Sequence, residues 1–396
     1  MNNLFADRMA RTHKSFIREI LKVTEDPKVI SFAGGLPNPK FFPVEEIADA
    51  AGKVLAEDGR NALQYSTTEG YLPLREYIAG RYFSKKGLKV KPDEILITNG
   101  SQQGLDLIGK AFLNKGDRVV VERPGYLGAL QAFAIYEPVF EPVPLLEDGI
   151  DTDSLEETLR TYKTKLFHAA VNFQNPSGIT YSKDKRLQLA RIFKDHGTVL
   201  VEDDPYGELR FTGQDLPSVR SYLEENVILL GSFSKIVAPG LRLGWICAKK
   251  DVMEKLIVAK QASDLHSNYL SQRIVFRYLT DHDIDEHIVK IREAYGRQRD
   301  WMVSMIEKYF PEEVEFTRPE GGMFLWVTLS EDVSALRLFD LAKKENVAFV
   351  PGSAFYVDGG GKNALRLNFS NSDEDEIEEG IKRLARGIER IMGTDD

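Results

Sequence analysis

Lys235 is the residue of this sequence with the clearest capacity for covalent chemistry, and it ends the segment Gly231-Ser232-Phe233-Ser234-Lys235. It follows a predicted strand, and Arg242 stands seven residues further along the chain. A lysine in this position can bond a cofactor carbonyl while Ser232, Ser234 and Arg242 hold a phosphate dianion. Partial burial and the charge of Arg242 should both favour the neutral amine that this reaction needs. A lone lysine is usually a solvated side chain, and here its neighbours favour the chemical role.

A candidate anion site lies in Asn99-Gly100-Ser101-Gln102-Gln103-Gly104, between a predicted strand and a helix predicted to begin near Leu105. The free backbone N–H groups at the start of a helix, together with the Ser101 hydroxyl, can bind an anion. Residues 104–110 also fit most of the nucleotide-binding pattern G-x-x-x-x-G-K. The next residue is Ala111, so the Ser or Thr that would bind magnesium is missing and the sequence disfavours an NTPase.

Three more segments place polar or aromatic side chains directly after predicted strands. Asp203 ends one strand and Tyr206 follows it, while Asn175 and Tyr126 come after two others. Because open α/β sheets bind ligands at the carboxyl ends of their strands, we expect these side chains at one sheet edge. There Asp203 could keep a pyridinium nitrogen protonated, Tyr206 could reach the ring oxygen, and Tyr126 could lie against the ring. A turn or cap role for Asp203 and core packing for Tyr126 are the alternatives.

The elements that must position these residues alternate between short β-branched runs and helical segments from about residue 90 to residue 250. Runs typical of strands lie at 94–98, 118–121, 167–171, 198–201, 227–230 and 242–248. Their alternation with helices predicts an α/β fold, with a mostly parallel sheet sandwiched by helices. Between the third and fourth runs, Ser182 can begin a crossover helix and Gly197 can end it.

The sheet pattern stops near residue 250, and a long helical tract leads from there to Phe310. We predict a domain boundary inside this tract, near residue 295. Strands at 324–329, 347–350 and 365–369 follow, with a last helix that starts at Ser372. The acids in the first turn of this helix and the basic residues near its end complement its dipole. This part of the chain is predicted to form a smaller α+β domain.

Composition and charge narrow the class of protein. A chain of 396 residues, 42% hydrophobic and 29% charged, is long enough for two domains with sizeable cores. With 52 Lys and Arg against 61 Asp and Glu, the net charge of −9 makes nucleic acid a poor partner. Charges interrupt the first 30 residues, and no run approaches the roughly 20 apolar residues of a membrane span. Cys247 is the single cysteine, so no internal disulfide can form. The six histidines show no spacing typical of metal ligands, so no metal site is predicted. We expect a cytoplasmic protein.

Taken together, these segments resemble the class I and II aminotransferases, which are fold type I enzymes that depend on pyridoxal phosphate. The resemblance runs from Ser31-Phe32-Ala33-Gly34-Gly35-Leu36-Pro37 to Arg366, and five motifs appear in the family's order. It implies an N-terminal segment at 1–43 that joins the small domain and covers the active site, a large cofactor-binding domain at 44–295, and a small domain at 296–396. The seven-residue gap between Lys235 and Arg242 is most similar to the 2-aminoadipate and kynurenine aminotransferase branch.

The resemblance also implies a role for each candidate residue. Lys235 would bind pyridoxal phosphate covalently, and Asp203 would pair with the pyridine nitrogen. The other cofactor contacts would be Asn175 and Tyr206 at the ring hydroxyl, Tyr126 stacked on the ring, and Ser101, Gln102, Ser232, Ser234 and Arg242 at the phosphate. Arg366 would form a bidentate pair with the substrate α-carboxylate, beside Asn175 and Gly35. Tyr65 would reach the phosphate of a partner subunit, which implies a homodimer with shared active sites.

The implied reaction moves an amino group between an L-amino acid and a 2-oxo acid, with Lys235 transferring the proton. The expected substrates are glutamate and 2-oxoglutarate with 2-aminoadipate, aromatic or branched-chain partners. We expect Arg18 to meet the distal carboxylate of an acidic substrate, and a solvated helix arginine is the alternative. A lyase or decarboxylase with the same cofactor would share these anchors. A ligand-sensing regulator is disfavoured, because the resemblance has begun by Ser31 and leaves little chain for a DNA-binding module.

Overall fold

The computed structural model describes residues 4–11 and 26–393. Its strands are β1 (Ile30–Ser31), β2 (Ile95–Thr98), β3 (Arg118–Arg123), β4 (Val139–Leu146), β5 (Gly149–Ile150), β6 (Thr164–Ala169), β7 (Val199–Asp203), β8 (Val227–Ser232), β9 (Gly244–Cys247), β10 (Glu315–Phe316), β11 (Phe324–Thr328), β12 (Val347–Ala348), β13 (Val350–Pro351) and β14 (Ala364–Asn368). Its α-helices are α1 (Asp7–Arg11), α2 (Val44–Ala62), α3 (Leu72–Lys86), α4 (Ser101–Phe112), α5 (Leu127–Ala134), α6 (Thr152–Thr161), α7 (Lys183–Lys194), α8 (Lys250–Gln261), α9 (Tyr269–Asp281), α10 (Ile284–Tyr309), α11 (Ala335–Lys344) and α12 (Glu374–Met392).

The larger sheet has eight strands in the order β2-β9-β8-β7-β6-β3-β4-β5. The pairs from β8 to β4 are parallel, whereas β9 is antiparallel to both of its neighbours and β5 is antiparallel to β4. β2 therefore runs in the same direction as β8. The mostly parallel sheet predicted from the sequence is confirmed, and the carboxyl ends of β2, β3, β6, β7 and β8 meet at one edge.

Both faces of this sheet are covered, because successive side chains of a strand point to opposite faces. Val119 and Val121 of β3 pack in a cluster with Leu105 of α4, while Val120 packs with Leu189 of α7 on the other side. This burial on two faces explains why the strands read as continuous apolar runs in the sequence. The sheet is thereby sandwiched by helices, as predicted.

Several strands differ from the sequence prediction. The single strand predicted at 347–350 is two strands in different sheets, since β12 pairs with β1 and β13 pairs with β14. β6 ends at Ala169, although the predicted run reached Val171, because residues 170–173 continue as a buried loop after the pairing has stopped. Apolar character therefore did not mark the end of this strand. β4 was not predicted at all, since its Pro142 and Pro144 are residues that disfavour strands.

Three helix boundaries also differ. Ser182 caps α7 as predicted, and its hydroxyl accepts a hydrogen bond from the Lys185 N–H, but the helix ends at Lys194 rather than at Gly197. The chain must turn within 195–198 to enter β7, so the helix stops earlier. α4 begins at Ser101 instead of near Leu105, and Asp373 rather than Ser372 caps α12.

The C-terminal part contains the predicted smaller sheet, with strands in the order β10-β11-β14-β13. β1 pairs in parallel with β12, which joins the N-terminal segment to this part of the chain. The helical tract before it consists of α8, α9 and α10, and α10 passes through residue 295 without a break. The division at residues 43 and 295 stays a prediction. Among the described residues, no helix is long and apolar enough to cross a membrane.

Candidate active site

Lys235 lies just beyond β8, at the edge where the parallel strands end. Its Nζ donates a hydrogen bond to the Gly35 carbonyl oxygen at 2.7 Å and lies 6.0 Å from the centroid of the Tyr206 ring. Burial, followed by the positive charges of Arg366 and Arg242, lowers the pKa of the Lys235 amine to about 8. A substantial fraction of this amine is therefore neutral near physiological pH, as a nucleophile or proton acceptor must be.

Asp203 ends β7 and is buried, with 2% of the residue exposed. Its Oδ2 lies 3.4 Å from Nε2 of His168, whereas its Oδ1 is buried without a hydrogen-bond partner. An unpaired buried oxygen of this kind costs about 1–3 kcal/mol, and more when it is charged. The geometry therefore suits a donor supplied by a bound molecule, such as a protonated ring nitrogen.

His168 is a member of this site that sequence analysis missed, because it was considered only as a possible metal ligand. It lies within β6, in register with Val121 of β3 and Val201 of β7, and it is 1% exposed. Its ring stacks on Tyr126, with centroids 6.1 Å apart and an angle of 26°. A polar residue near the end of a buried central strand was the signal that could have identified it.

Tyr126, Tyr206 and Asn175 lie around the same point, each in a loop after a strand. Tyr126 immediately precedes α5, and Tyr206 is buried with its ring edge against Phe324. Burial raises the pKa of both tyrosine hydroxyls above the usual value, so both stay protonated. The Asn175 side chain lies close enough to the Tyr206 hydroxyl to offset part of this rise in the pKa of Tyr206. These groups can contact the face and a polar edge of a planar ring.

The predicted anion site forms where α4 begins. Gly100 precedes the helix with a φ of +77°, and no side chain caps the first backbone N–H groups. The Arg242 guanidinium lies over this turn, where Nη2 donates to the Asn99 carbonyl at 3.2 Å. This positive φ favours glycine, and a Cβ at Gly100 would lie 2.8 Å from that nitrogen, so the guanidinium would have to shift. The helix start and Arg242 together attract a dianion.

The four other predicted phosphate contacts, Ser101, Gln102, Ser232 and Ser234, lie at or near this turn. Ser232 ends β8, and its hydroxyl accepts a hydrogen bond from the Ser234 N–H at 3.1 Å. Ser101 is the first residue of α4. The Gln102 side chain is turned elsewhere, since its Nε2 donates to the Gly128 carbonyl at 2.8 Å. Gln102 can therefore contribute its backbone N–H more readily than its amide group.

Arg366 in β14 brings the smaller sheet to the site. Its Nη1 donates to Asn175 Oδ1 at 2.8 Å, its Nη2 donates to the Ala33 carbonyl at 2.6 Å, and its buried Nε has no partner. The guanidinium lies 4.2 Å from the centroid of the Phe324 ring. Burial lowers the pKa of Arg366 to about 10, which leaves it charged at neutral pH. A buried guanidinium with an unused donor suits a carboxylate ligand.

Gly35, Tyr65 and Arg18 complete the predicted set. Gly35 lies against the Phe324 ring, where a Cβ would come within 3.1 Å of Cζ. Tyr65 lies apart from the residues that surround Lys235. Its side chain is 79% exposed and contacts the ring of His266. Arg18 lies outside the described residues, so its predicted contact stays a prediction.

The residues around Lys235 fit a phosphorylated pyridine aldehyde. They combine an amine of lowered pKa, a buried carboxylate oxygen without a partner, an aromatic side chain, and a helix start beside an arginine. Each of these groups matches one part of such a cofactor. Within residues 4–11 and 26–393, no group of three or more His, Cys, Asp or Glu side chains is placed to bind a metal ion.

Comparison with known proteins agrees with this arrangement. The sequence matches the family model of class I and II aminotransferases over residues 28–384. It is 44% identical to aromatic-amino-acid aminotransferase 1 of Thermococcus litoralis, with 98% of this chain and 94% of that protein covered. It is 43% identical to 2-aminoadipate transaminase of Thermus thermophilus, with 98% and 97% covered.

A solved structure is similar throughout. It is LysN, the alpha-aminoadipate aminotransferase of Thermus thermophilus, complexed with N-(5'-phosphopyridoxyl)-L-leucine. The two chains have a TM-score of 0.92 and 42% sequence identity, with 99% of each covered. The matches extend over nearly the whole sequence, from before β1 into α12. This chain is therefore an aminotransferase and belongs to the class I and II aminotransferase family.

Proposed function

We propose that this aminotransferase uses pyridoxal phosphate, bound covalently to Lys235, to move the amino group of an L-amino acid to a 2-oxo acid. The observation that carries the proposal is the buried Lys235 amine with a pKa lowered to about 8, together with the Asp203 Oδ1 that lacks a partner at the end of the neighbouring strand and the buried Arg366. The phosphopyridoxyl compound bound to the Thermus thermophilus relative supports the choice of cofactor.

Each side chain has a defined task in this proposal. When bound, pyridoxal phosphate supplies an electron sink for the pair left when the substrate Cα–H bond breaks. The Asp203 Oδ1 would accept a hydrogen bond from the ring nitrogen and keep it protonated, while Oδ2 lies against His168. Lys235 would hold the cofactor, and its Nζ as a free amine would accept the Cα proton. Tyr206 and Asn175 would hold the ring hydroxyl, and Tyr126 would contact the ring.

In this proposal, positively charged and N–H groups would bind the phosphate of the cofactor. The start of α4 supplies backbone N–H groups and the positive end of a helix dipole, and Arg242 adds a full charge. The hydroxyls of Ser101, Ser232 and Ser234 and the backbone of Gln102 complete the proposed contacts. These groups would hold the cofactor by its phosphate independently of its bond to Lys235.

Arg366 binds the substrate α-carboxylate in this proposal, beside Asn175 and the Gly35 segment. We propose glutamate and 2-oxoglutarate as one substrate pair, with 2-aminoadipate, aromatic or branched-chain amino acids as the other. The names of the two similar enzymes, an aromatic-amino-acid aminotransferase and a 2-aminoadipate transaminase, support this range. The proposed contact of Arg18 with a distal carboxylate is tested by Arg18→Ala, which should lower kcat/KM for acidic donors and leave apolar donors unchanged.

We propose that the protein is a homodimer in which Tyr65 reaches the phosphate in the partner subunit. The exposure of Tyr65 and of its apolar neighbour Leu63, which is 71% exposed, supports this assignment. The division into residues 1–43, 44–295 and 296–396, and a cytoplasmic location, belong to the same proposal.

Borohydride reduction followed by peptide mapping tests the central claim. We expect a reduced pyridoxyl label on Lys235, and no label on Lys235→Ala. Mixing the protein with single amino acids should convert the cofactor spectrum from the aldehyde form to the amine form, and a 2-oxo acid should reverse it. An unlabelled Lys235 would overturn the proposal, and release of more than one product molecule per active site without any 2-oxo acid acceptor would indicate the lyase or decarboxylase alternative.

A further inference from the structure

A buried carboxylate, Glu122, lies in β3 beside the site but outside the set of residues assigned above. Glu122 is 1% exposed and accepts three hydrogen bonds. Its Oε1 accepts from the Tyr181 hydroxyl at 2.7 Å and from the Ala170 N–H at 3.1 Å, and its Oε2 accepts from Gln174 Nε2 at 3.0 Å. Burial raises the pKa of Glu122 to about 7, so its three donors are needed to stabilise the carboxylate.

Gln174 extends this network with a side chain that is fully buried. Its Nε2 also donates to the Pro124 carbonyl at 2.9 Å, and its Oε1 accepts from both the N–H and the hydroxyl of Ser177, at 2.8 and 2.6 Å. Both hydrogens and both lone pairs of the amide are therefore used. Only one orientation of Gln174 satisfies all four partners, so the network is rigid.

This single amide joins two of the loops that carry proposed cofactor contacts. Gln174 directly precedes Asn175, whose Oδ1 accepts from Arg366. Pro124 lies two residues before Tyr126, whose ring stacks on His168. The bonds of Gln174 and Glu122 go to loop atoms rather than to Lys235 or Arg366. Their hydrogen bonds therefore act on the site through the loops of Asn175 and Tyr126, and Glu122 also interacts electrostatically with His168.

We propose that Glu122 and Gln174 are positioning residues for transamination, which hold Asn175 and Tyr126 where they contact the cofactor ring and the substrate. The inference rests on the proposed function. Its physical reason is that buried donors and acceptors must stay paired, so the loops can move relative to each other only if several hydrogen bonds break together. Loosening this link should therefore misplace both loops at once.

Exchanging the carboxylate of Glu122 and the amide of Gln174 between the two positions tests the proposal. Gln174→Glu places a second carboxylate against Glu122 and removes the donor to Pro124, and Glu122→Gln places an amide among three donors. The double variant, Glu122→Gln with Gln174→Glu, restores one donor and one acceptor between the two positions. We expect each single variant to lower kcat/KM by about 10- to 100-fold and the double variant to recover at least part of the loss.

The bound cofactor provides a readout that does not depend on turnover. In the single variants we expect a shifted absorbance maximum and weaker binding of pyridoxal phosphate, because Tyr126 and Asn175 contact its ring. Should Gln174→Glu fail to fold, Tyr181→Phe removes a single donor to Glu122 with little change in shape. It should lower kcat/KM by about 2- to 10-fold and shift the spectrum in the same direction.

Glu202→Gln is the matched control. Glu202 is a buried carboxylate of β7 that also accepts three hydrogen bonds, from Ser218 Oγ and from the N–H groups of Val219 and Arg220. The Glu202→Gln variant should have a lower unfolding temperature, but the absorbance spectrum of its bound cofactor and its kcat/KM should be unchanged. If the Glu122 and Gln174 variants behave like this control, or the double variant recovers nothing, the proposal is wrong. Borohydride labelling of Lys235 in the wild type tests the proposed function separately.

Discussion

The lowered pKa of Lys235 gives a quantitative prediction for the protein freed of its cofactor. Burial, then the charges of Arg366 and Arg242, lowers this pKa from 10.5 to about 8. At pH 7 an amine with a pKa of 8 is about 9% neutral, whereas one with a pKa of 10.5 is about 0.03% neutral. The free amine is therefore about 300-fold more abundant at Lys235 than at an ordinary lysine.

Competitive labelling with a small neutral amine reagent measures this difference. Peptide mass spectrometry gives the labelling rate of Lys235 across the neutral and alkaline range, and Lys115, whose side chain is 62% exposed, serves as the reference in the same digest. We expect the rate at Lys235 to reach half its maximum near pH 8. In Arg366→Met the second cause of the shift is removed, so the midpoint should move upward.

The same shift fixes the sign of a stability effect. An unfolded chain keeps the Lys235 proton up to its ordinary pKa, but the native protein loses it at about pH 8. Between these two values the unfolded state binds more protons, so the contribution of Lys235 to the free energy of unfolding increases with pH. Lys235→Met should remove this dependence. A labelling midpoint of Lys235 at the ordinary value of a lysine, or one that Arg366→Met leaves in place, would refute the reasoning.

Three further substitutions have defined outcomes. In Arg366→Lys, a lysine cannot keep both hydrogen bonds of the guanidinium, to Asn175 and to Ala33. KM for amino donors should therefore increase about 10-fold or more in steady-state assays. An unchanged KM would contradict the proposed binding of the substrate α-carboxylate by Arg366. Asp203→Asn removes the carboxylate with little change in shape. It should lower kcat about 100-fold or more while Lys235 still binds the cofactor. A kcat near the wild-type value would contradict the role assigned to Asp203. Leu384→Ala removes a side chain from the buried face of α12 and leaves a cavity there. It should lower the free energy of unfolding by about 2–5 kcal/mol in chemical denaturation, with kcat unchanged. An unchanged free energy of unfolding would show that the cavity collapses.

Several features of the molecule follow from the sequence without further information. Apolar β-branched runs predicted the central strands, and the polar residues that follow them predicted one functional edge, because parallel strands end on the same side of a sheet. Lys235, Asp203 and Asn175 were all identified by their place after such a run, and all three lie at that edge in the structure. These features are local, so short stretches of sequence contain the necessary information.

Other features depend on how distant segments pack. Asn175 and Arg366 meet through a hydrogen bond although 191 residues separate them, and Lys235 and Gly35 meet across 200 residues. The contact of His168 with Asp203 became known only from the structure, since the two residues lie on different strands. The unpartnered Asp203 Oδ1, the lowered pKa of Lys235 and the amide of Gln174 that joins two loops are likewise properties of the assembled core. Sequence determined which groups stand at the strand ends, whereas tertiary structure alone decided which of them are buried together, because burial and pairing depend on atoms contributed by every packed element.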